Sequence, residues 1–299
     1  MPELLPALRL ESGRFFEDAE TRGERLIGIG VYDALGAQLV EHAGFGALWL
    51  SGLEVSSSKG LPDRNLVTST EMLAVVQEIR GLSALPILVD ADNGYGSDET
   101  AARAACQFAA AGATAMSIED NAFPKRNSFM IAADRALEDA DVFADRIRAM
   151  RAELDERGLR LELIARTEAL VAGLGSEEAL ARLALYRDAG ADALFVQFTT
   201  TSADEFLELL PAACRLGPVV IAPTKLPEIT APEFHALGVT IVLFANVGVR
   251  CRTRSEAGML ARLAERGRLA DVESELLSIA QLFALTAAEP RASCEELSA

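Results

Sequence analysis

The chain alternates between short apolar runs and longer amphipathic stretches. About eight runs of branched and small apolar residues are typical of buried parallel strands, and they lie within RLIGIGVY, GALWLSG, LPILVDAD, TAMSIED, LELIARTEA, ALFVQF, GPVVIAPTK and GVTIVLFANV. The stretches between them include STEMLAVVQEIRGL, SDETAARAACQFAAA, SEEALARLALYRDA and APEFHALG. These stretches carry Ser, Thr or Asp near the first turn and acids within it, which predicts helices.

Three stretches repeat one pattern, and they read EHAGFGALWLSG at 41–52, AAAGATAMSIED at 109–120 and RDAGADALFVQF at 187–198. An Ala-Gly pair suits the end of a helix, because glycine adopts a left-handed conformation without steric cost. The alternating small and apolar residues that follow suit a buried parallel strand. Each stretch therefore predicts a helix end, a glycine and a strand.

About eight strands that alternate with helices favour a (β/α)₈ barrel, while an open doubly wound sheet is the alternative and usually needs fewer strands. Helical segments are expected outside this alternation at about residues 1–25 and 250–299. No linker rich in Pro, Gly or Ser divides the chain. We therefore expect a single barrel domain over residues 1–299.

The composition limits the classes of partner that the protein is expected to bind. The chain has 299 residues, 50% of them hydrophobic, and 28 Lys and Arg against 45 Asp and Glu give a net charge of −17. No long basic run is present, which argues against nucleic acid and anionic membranes. Cys106, Cys214, Cys251 and Cys294 are scattered, and with two histidines they predict neither zinc nor a disulfide framework. The scattered cysteines predict a reducing, cytoplasmic compartment. A soluble protein is expected, since no run approaches the roughly 20 apolar residues of a membrane span.

Acidic side chains follow two neighbouring strands, where the active sites of barrels are built. Asp90 and Asp92 leave the third strand, and Glu119 and Asp120 close the fourth. Carboxylates so close together would repel each other unless a hard cation such as Mg²⁺ lay between them. This favours a divalent metal site. The alternative is that Asp90 caps the next helix and that Glu119 is a solvated strand end.

Basic and polar residues follow other strands. Arg166 ends the fifth strand, where its guanidinium could hold an oxyanion or pair with Glu168. The polar segment NAFPKRNSF at 121–129 predicts a loop that could close over the mouth and exclude water. Its candidate donors are Lys125, Asn127 and Ser128, although a Lys-Arg pair in a loop is also typical of a solvated surface.

The segment after the second strand offers a further cradle for an anion. Ser51, Gly52 and Leu53 could present backbone N–H groups to it. Asp63 lies in a Pro-Asp turn, for which a plain turn is the alternative interpretation.

The order of these motifs carries a family resemblance. VYDALGAQLVEHAGF, LSGLEVS, LPDRN, DADNGYG, IEDNAFPKRNS, IARTEALVAGLG, YRDAGADALFV, VVIAPTK and FAN follow one another from about residue 25 to 285. Together they resemble the phosphoenolpyruvate mutase and phosphonopyruvate hydrolase branch of the isocitrate lyase superfamily. The resemblance implies a (β/α)₈ barrel whose last helix is exchanged with a neighbouring subunit, a homodimer or homotetramer, and Mg²⁺ as cofactor.

The resemblance also implies roles for the strand-end residues. Asp90 would be the direct Mg²⁺ ligand, with Asp92 and Glu119 holding metal-bound water. Arg166 would grip the substrate, and Asp63 would lie beside the migrating group. The implied substrate cradle consists of Ser51, Gly52 and Leu53, and the implied gating loop carries Lys125, Asn127 and Ser128.

Three positions depart from the mutase pattern. Asn121 stands where the mutases carry lysine, and Gln197 stands where histidine usually completes the phosphoryl site. Asn246 is followed by Val247 instead of histidine. Gln197 and Asn246 are still expected to contact the substrate. The departures affect the cationic and proton-sharing groups around the transferred oxyanion.

The sequence thus predicts a mutase that interconverts phosphoenolpyruvate and phosphonopyruvate, with a small anionic three-carbon substrate. One alternative is phosphonopyruvate hydrolysis, and another is an analogous mutase for an arsenical such as arsenoenolpyruvate. Cleavage of a C–C bond is disfavoured, because the cysteine that the lyases carry in the gating loop is absent here. A noncatalytic barrel that binds a dicarboxylate is the alternative from a different class.

Overall fold

Eight parallel strands form a closed barrel in the computed structural model, which describes residues 14–128 and 135–286. Each strand pairs with its neighbours in chain order, and β1 also pairs with β8. The (β/α)₈ prediction is therefore confirmed, and the open sheet is excluded. The strands are β1 Leu26–Val31, β2 Ala47–Leu50, β3 Ile87–Asp90, β4 Ala115–Glu119, β5 Glu162–Thr167, β6 Ala193–Val196, β7 Val219–Ile221 and β8 Ile241–Phe244.

Helices surround the barrel, and each of the four amphipathic stretches named above forms a helix. The helices are α1 Phe15–Arg22, α2 Ala34–His42, α3 Gly52–Ser58, α4 Ser69–Arg80, α5 Asp98–Ala110, α6 Ala140–Glu156, α7 Gly175–Asp188, α8 Ala203–Leu216, α9 Ala231–Ala236, α10 Val247–Arg266 and α11 Ile279–Thr286. Side-chain caps begin several of them, as at α4, where Thr68 and Glu71 form a reciprocal capping box. At α7 the structure differs, because the helix starts at Gly175 and leaves Ser176 inside the first turn, so that Ser176 is not its cap.

The repeated helix-glycine-strand pattern is also confirmed. Gly44, Gly112 and Gly190 have φ of 81°, 89° and 108°, and they precede β2, β4 and β6. A side chain would be strained at such angles, which explains the glycines.

Two apolar layers hold the fold together. The larger cluster lies between the strands and the surrounding helices. A smaller buried cluster includes Trp49, Leu88, Phe195 and Leu243 from the strands and also contains Phe15 and Phe16 of α1. Gly28 of β1 fits here because an added Cβ would lie 2.6 Å from a methyl group of Leu243. Because these apolar side chains are buried in the fold, the carboxyl ends of the strands remain as the place for a site.

The C-terminal part leaves apolar surface exposed. α10 contains no buried residue, and Ile279 and Phe283 of α11 are 64% and 67% exposed. Exchange of the last helix with another subunit stays a prediction, as does the oligomer. The segments 1–13 and 287–299 of the predicted helical ends lie outside the described residues, as does Cys294, whereas Cys106, Cys214 and Cys251 are free thiols. No helix in the described ranges has both the length and the apolar character needed to cross a bilayer.

Candidate active site

The predicted site residues gather around one small cavity at the carboxyl ends of the strands. The cavity is small, with a volume of about 50 Å³. Residues 121–128, called here the mouth loop, contribute three side chains to its wall. The cavity is lined by Trp49, Ser51, Leu53, Asp63, Asp90, Glu119, Lys125, Asn127, Ser128, Arg166, Phe195, Gln197, Ala222, Thr224, Ala245 and Asn246.

Asp90 and Asp92 lie side by side at the end of β3. The Gly52 N–H donates to Asp90 Oδ2 at 3.2 Å, and an added Cβ on Gly52 would lie 3.2 Å from an oxygen of each aspartate. Asp92 has φ of 52°, a left-handed conformation, and its carboxylate contacts Asn65 and Lys125. Burial raises the pKa of both carboxyls, and repulsion from Asp63 and Glu119 adds to the effect.

Lys125 of the mouth loop places its ammonium group between two of the acids. Nζ lies 2.9 Å from Asp63 Oδ1 and also contacts Asp92 Oδ1. Burial alone would lower the pKa of Lys125, but Asp92 and Glu119 raise it well above its ordinary value. Asn65 fixes this arrangement, since its Oδ1 accepts from the Lys125 N–H at 2.6 Å and its Nδ2 donates to Asp92 Oδ2 at 2.9 Å. The interpretation of Lys125 as a solvated surface residue is wrong.

Arg166 is shared between two buried carboxylates. Its Nε lies 3.2 Å from Glu119 Oε2 and donates to Glu168 Oε1 at 2.8 Å. The guanidinium also stacks over Phe195, 5.0 Å from the ring centroid. The predicted salt bridge to Glu168 is therefore present, and it holds the arginine at the cavity wall.

Two further polar residues of the mouth loop face the same cavity. Asn127 Nδ2 donates to Asp63 Oδ2 at 2.6 Å. Ser128 Oγ donates to Glu168 Oε1 at 2.9 Å and accepts from Arg166 Nη2 at 2.8 Å. The loop thus brings an amide and a hydroxyl to the arginine and the aspartate that the sequence assigned to the substrate.

The segment after β2 has a double role. Ser51 caps the short helix α3, since its Oγ accepts from the Glu54 N–H at 3.3 Å. The Gly52 N–H points to Asp90, and Ser51 and Leu53 line the cavity. Backbone presentation to a bound anion stays a prediction for these residues.

Gln197 and Asn246 close the far wall of the cavity. Gln197 is 4% exposed, and its Oε1 has no hydrogen-bond partner within the described ranges. Asn246 Oδ1 accepts from Arg250 Nη1 at 3.0 Å, and its Nδ2 donates to Thr224 Oγ1 at 3.4 Å.

Asp120 does not join the acids at the mouth, which corrects its grouping with Glu119. Its carboxylate accepts from Thr167 Oγ1 at 2.8 Å and from Tyr186 Oη at 2.9 Å, and it pairs with Arg182 at 3.2 Å. Successive side chains of a strand point to opposite faces, so Asp120 faces the helices when Glu119 faces the barrel.

The charge balance of the site shows whether its residues fit a metal ion. No three His, Cys, Asp or Glu side chains in residues 14–128 and 135–286 form a ready ligand cluster. However, five largely buried carboxylates face three cations, an excess of two negative charges; these groups are Asp63, Asp90, Asp92, Glu119 and Glu168 with Lys125, Arg135 and Arg166. A divalent cation would neutralise this excess, and Mg²⁺ commonly keeps several waters and uses only one or two carboxylates. The donor set therefore fits Mg²⁺.

Known proteins resemble this chain in sequence and in fold. The sequence model of the family described as phosphoenolpyruvate phosphomutase matches residues 16–261. Phosphonopyruvate hydrolase of Variovorax sp. (strain Pal2) is 32% identical over 92% of this chain and 91% of the hydrolase. The crystal structure of phosphoenolpyruvate phosphomutase from Streptomyces platensis subsp. rosaceus has a TM-score of 0.82 and 34% identity, covering 87% of this chain and 89% of that one. A phosphonopyruvate hydrolase complexed with oxalate and Mg²⁺ has a TM-score of 0.80 and 31% identity, covering 89% and 91%.

The family match spans most of the chain, and a relative above 30% identity covers nearly all of it. The fold and the order of the site residues are those expected from the sequence. The chain is therefore an enzyme that belongs to the phosphoenolpyruvate phosphomutase family, within the superfamily that also contains isocitrate lyase.

Proposed function

We propose that this enzyme is a Mg²⁺-dependent mutase that interconverts phosphoenolpyruvate and phosphonopyruvate by intramolecular phosphoryl transfer. The observation that carries the proposal is the closed mouth loop. Lys125 and Ser128 are buried, and Asn127 donates to Asp63 inside a cavity of about 50 Å³. A site that must retain a migrating group needs such a closure, because water would otherwise capture the group.

The metal would be held by Asp90 directly, with Asp92 and Glu119 holding its water. When bound, Mg²⁺ supplies Lewis-acid stabilisation of the negative charge on the enolate of pyruvate. Ser51, Gly52 and Leu53 orient the carboxylate end of the substrate through the cradle after β2.

The phosphoryl group moves from C3 to the enol oxygen in one direction and back in the other. The C–P bond breaks, its electron pair stays with the pyruvate enolate, and the enolate oxygen forms the new O–P bond. Arg166, Asn127 and Ser128 hold the loose, metaphosphate-like group while it is between the two atoms. Asp63 lies beneath it, and Lys125 balances the charge of the acids when the loop is closed.

Hydrolysis of phosphonopyruvate is the second candidate. It is favoured by the 32% identity to a hydrolase over nearly the whole chain. Both reactions use the same scaffold and break the same C–P bond. They differ in whether the enolate oxygen or a water molecule accepts the phosphoryl group, and the closed loop with Asn127 favours the enolate.

Phosphorus NMR tests the proposal. The purified enzyme is incubated with phosphonopyruvate and Mg²⁺, and a chelated sample serves as the control. Formation of phosphoenolpyruvate supports the mutase, and formation of phosphate and pyruvate supports the hydrolase. An unchanged phosphonopyruvate signal from folded, Mg²⁺-loaded enzyme would contradict both and would point to Asn121, Gln197 and Val247 as marks of another oxyanion.

A further inference from the structure

A second arginine, Arg135, follows residues 129–134 in the sequence and contacts the mouth loop. The mouth loop and the chain from residue 135 onward are joined at a base, where Asn121 and Leu137 form an antiparallel bridge and the Ala122 N–H donates to the Ala136 carbonyl at 3.1 Å. Arg135 directly precedes this base in the sequence. Its side chain is 4% exposed.

Arg135 holds the backbone of the mouth loop. Nη1 donates to the Arg126 carbonyl at 2.6 Å and Nη2 donates to the Asn127 carbonyl at 2.8 Å. A guanidinium is a rigid fork of donors, so it can bind two consecutive carbonyls at once and restrict the peptide between them. This peptide immediately precedes Ser128, so that its position decides where the loop donors enter the cavity.

Arg135 also corrects a charge imbalance. The guanidinium of Arg166 is shared between Glu119 and Glu168, so one cation serves two buried carboxylates. Arg135 Nη1 lies 3.7 Å from Glu168 Oε2 and donates to Asn121 Oδ1 at 3.1 Å. Asn121 Nδ2 in turn donates to Glu119 Oε1 at 2.8 Å. The second cation therefore reaches both acids, one by its charge and the other through an amide.

We propose that Arg135 is a positioning residue that holds the mouth loop closed and supplies the second positive charge beside Glu119 and Glu168. The inference deepens the proposed mutase function and rests on it for the effect on products. Without Arg135, the two loop carbonyls would lose a charged donor, and the loop would open more often. Water would then reach the phosphoryl group, and part of it would be lost as phosphate.

Hydrogen exchange of the mouth-loop amides tests the first part without any catalysis. In Arg135→Gln we expect exchange in residues 122–128 to become about tenfold faster or more, because a charged hydrogen-bond donor to the loop is lost. Arg135→Lys keeps the charge, and its exchange rate should lie between those of the wild type and Arg135→Gln. Arg126→Gln removes an exposed cation from the same loop and serves as the matched control, with exchange as in the wild type. Equal exchange in Arg135→Gln and Arg126→Gln would overturn the proposal.

Relocating the charge tests the second part. Asn121→Lys in the Arg135→Gln background places a cation beside Glu119 again but offers no fork to the loop carbonyls. We expect a higher kcat than in Arg135→Gln alone, while loop exchange stays fast and the fraction of phosphate stays high. If kcat did not recover, the charge role would be wrong. If wild-type enzyme itself released only phosphate, the mutase proposal would fail, whereas the exchange result would still judge the holding role of Arg135.

Discussion

The ammonium group of Lys125 lies 2.9 Å from the Asp63 carboxylate, and both side chains are less than a tenth exposed. Asp63 Oδ2 at the same time accepts from Asn127. One carboxylate thus connects two residues of the mouth loop to the segment after α3. The position of the mouth loop therefore depends on Asp63.

Asp63 is expected to be essential for the reaction. Asp63→Ala removes the carboxylate that holds Lys125 and Asn127 in place. We expect kcat to fall more than about 100-fold, because these two residues are then no longer positioned toward the developing charge. Binding of Mg²⁺ should persist, since Asp90 is untouched. Thermal unfolding with and without Mg²⁺ checks binding, and product formation from phosphonopyruvate checks transfer. Full activity in this variant would remove Asp63 from the mechanism.

Ser128 provides a narrower test of the loop donors. Ser128→Ala removes one hydroxyl between Arg166 and Glu168 and should lower kcat by about 10²–10³-fold, the usual effect of losing one preorganised donor. The effect on KM should be smaller, because the other contacts to the substrate remain. Ser57→Ala, an exposed serine of α3, is the matched control and should behave like the wild type. Equal kcat in both variants would exclude the hydroxyl.

Metal binding should stabilise the fold, because it neutralises the excess negative charge of the site. At a Mg²⁺ concentration 100 times the Kd, the expected gain in the free energy of unfolding is about 2.7 kcal/mol. This would raise Tm by about 5 °C in a chain of this size. Asp90→Asn should abolish the increase, whereas Asp204→Asn on the exposed face of α8 should keep it. A Tm that rises equally in both variants would place the ion elsewhere.

Glu162 at the start of β5 makes stability depend on pH. It accepts from the Phe16 N–H at 2.9 Å, and burial raises its pKa from 4.5 to about 7. The folded state therefore binds more protons than the unfolded state between these values, so stability falls as pH rises from about 4.5 to 7. The loss amounts to about 3 kcal/mol at most.

Glu162→Gln keeps an acceptor for Phe16 but carries no charge. Denaturant unfolding across this pH range should therefore show a flatter stability curve and a higher stability than the wild type at pH 8. Glu17→Gln, an exposed neighbour on α1, is the control and should retain the wild-type curve. Parallel curves for Glu162→Gln and wild type would show that another group causes the dependence.

The strands were predictable because a parallel strand buried on both faces consists almost entirely of small and branched apolar residues. The position of the site followed from the same pattern, since carboxyl ends of strands meet at one mouth. The strand pattern therefore predicts that Asp90 and Glu119 lie at the same mouth, as they do in the structure. The opposite direction of Asp120 could also have been predicted, because adjacent residues of a strand face opposite sides.

Other site residues carried no such signal. Arg135 follows the loop in the sequence, and its contact with the Arg126 and Asn127 carbonyls depends on how the chain returns to the base at Asn121. No periodicity encodes that path. Asn65 holds Lys125 and Asp92 from a left-handed conformation, with φ of 57°, and a single asparagine in a turn does not reveal which groups it will bridge.

In the proposed mutase reaction, the phosphoryl group stays within the closed site and is not transferred to water. Phosphorus NMR of the reaction in ¹⁸O-enriched water with Mg²⁺ and phosphonopyruvate measures this directly, because each ¹⁸O attached to phosphorus shifts its signal. We predict phosphoenolpyruvate whose non-bridging phosphoryl oxygens contain no solvent oxygen. Phosphate that carries one solvent oxygen as the main product would exclude the mutase reaction and would establish hydrolysis.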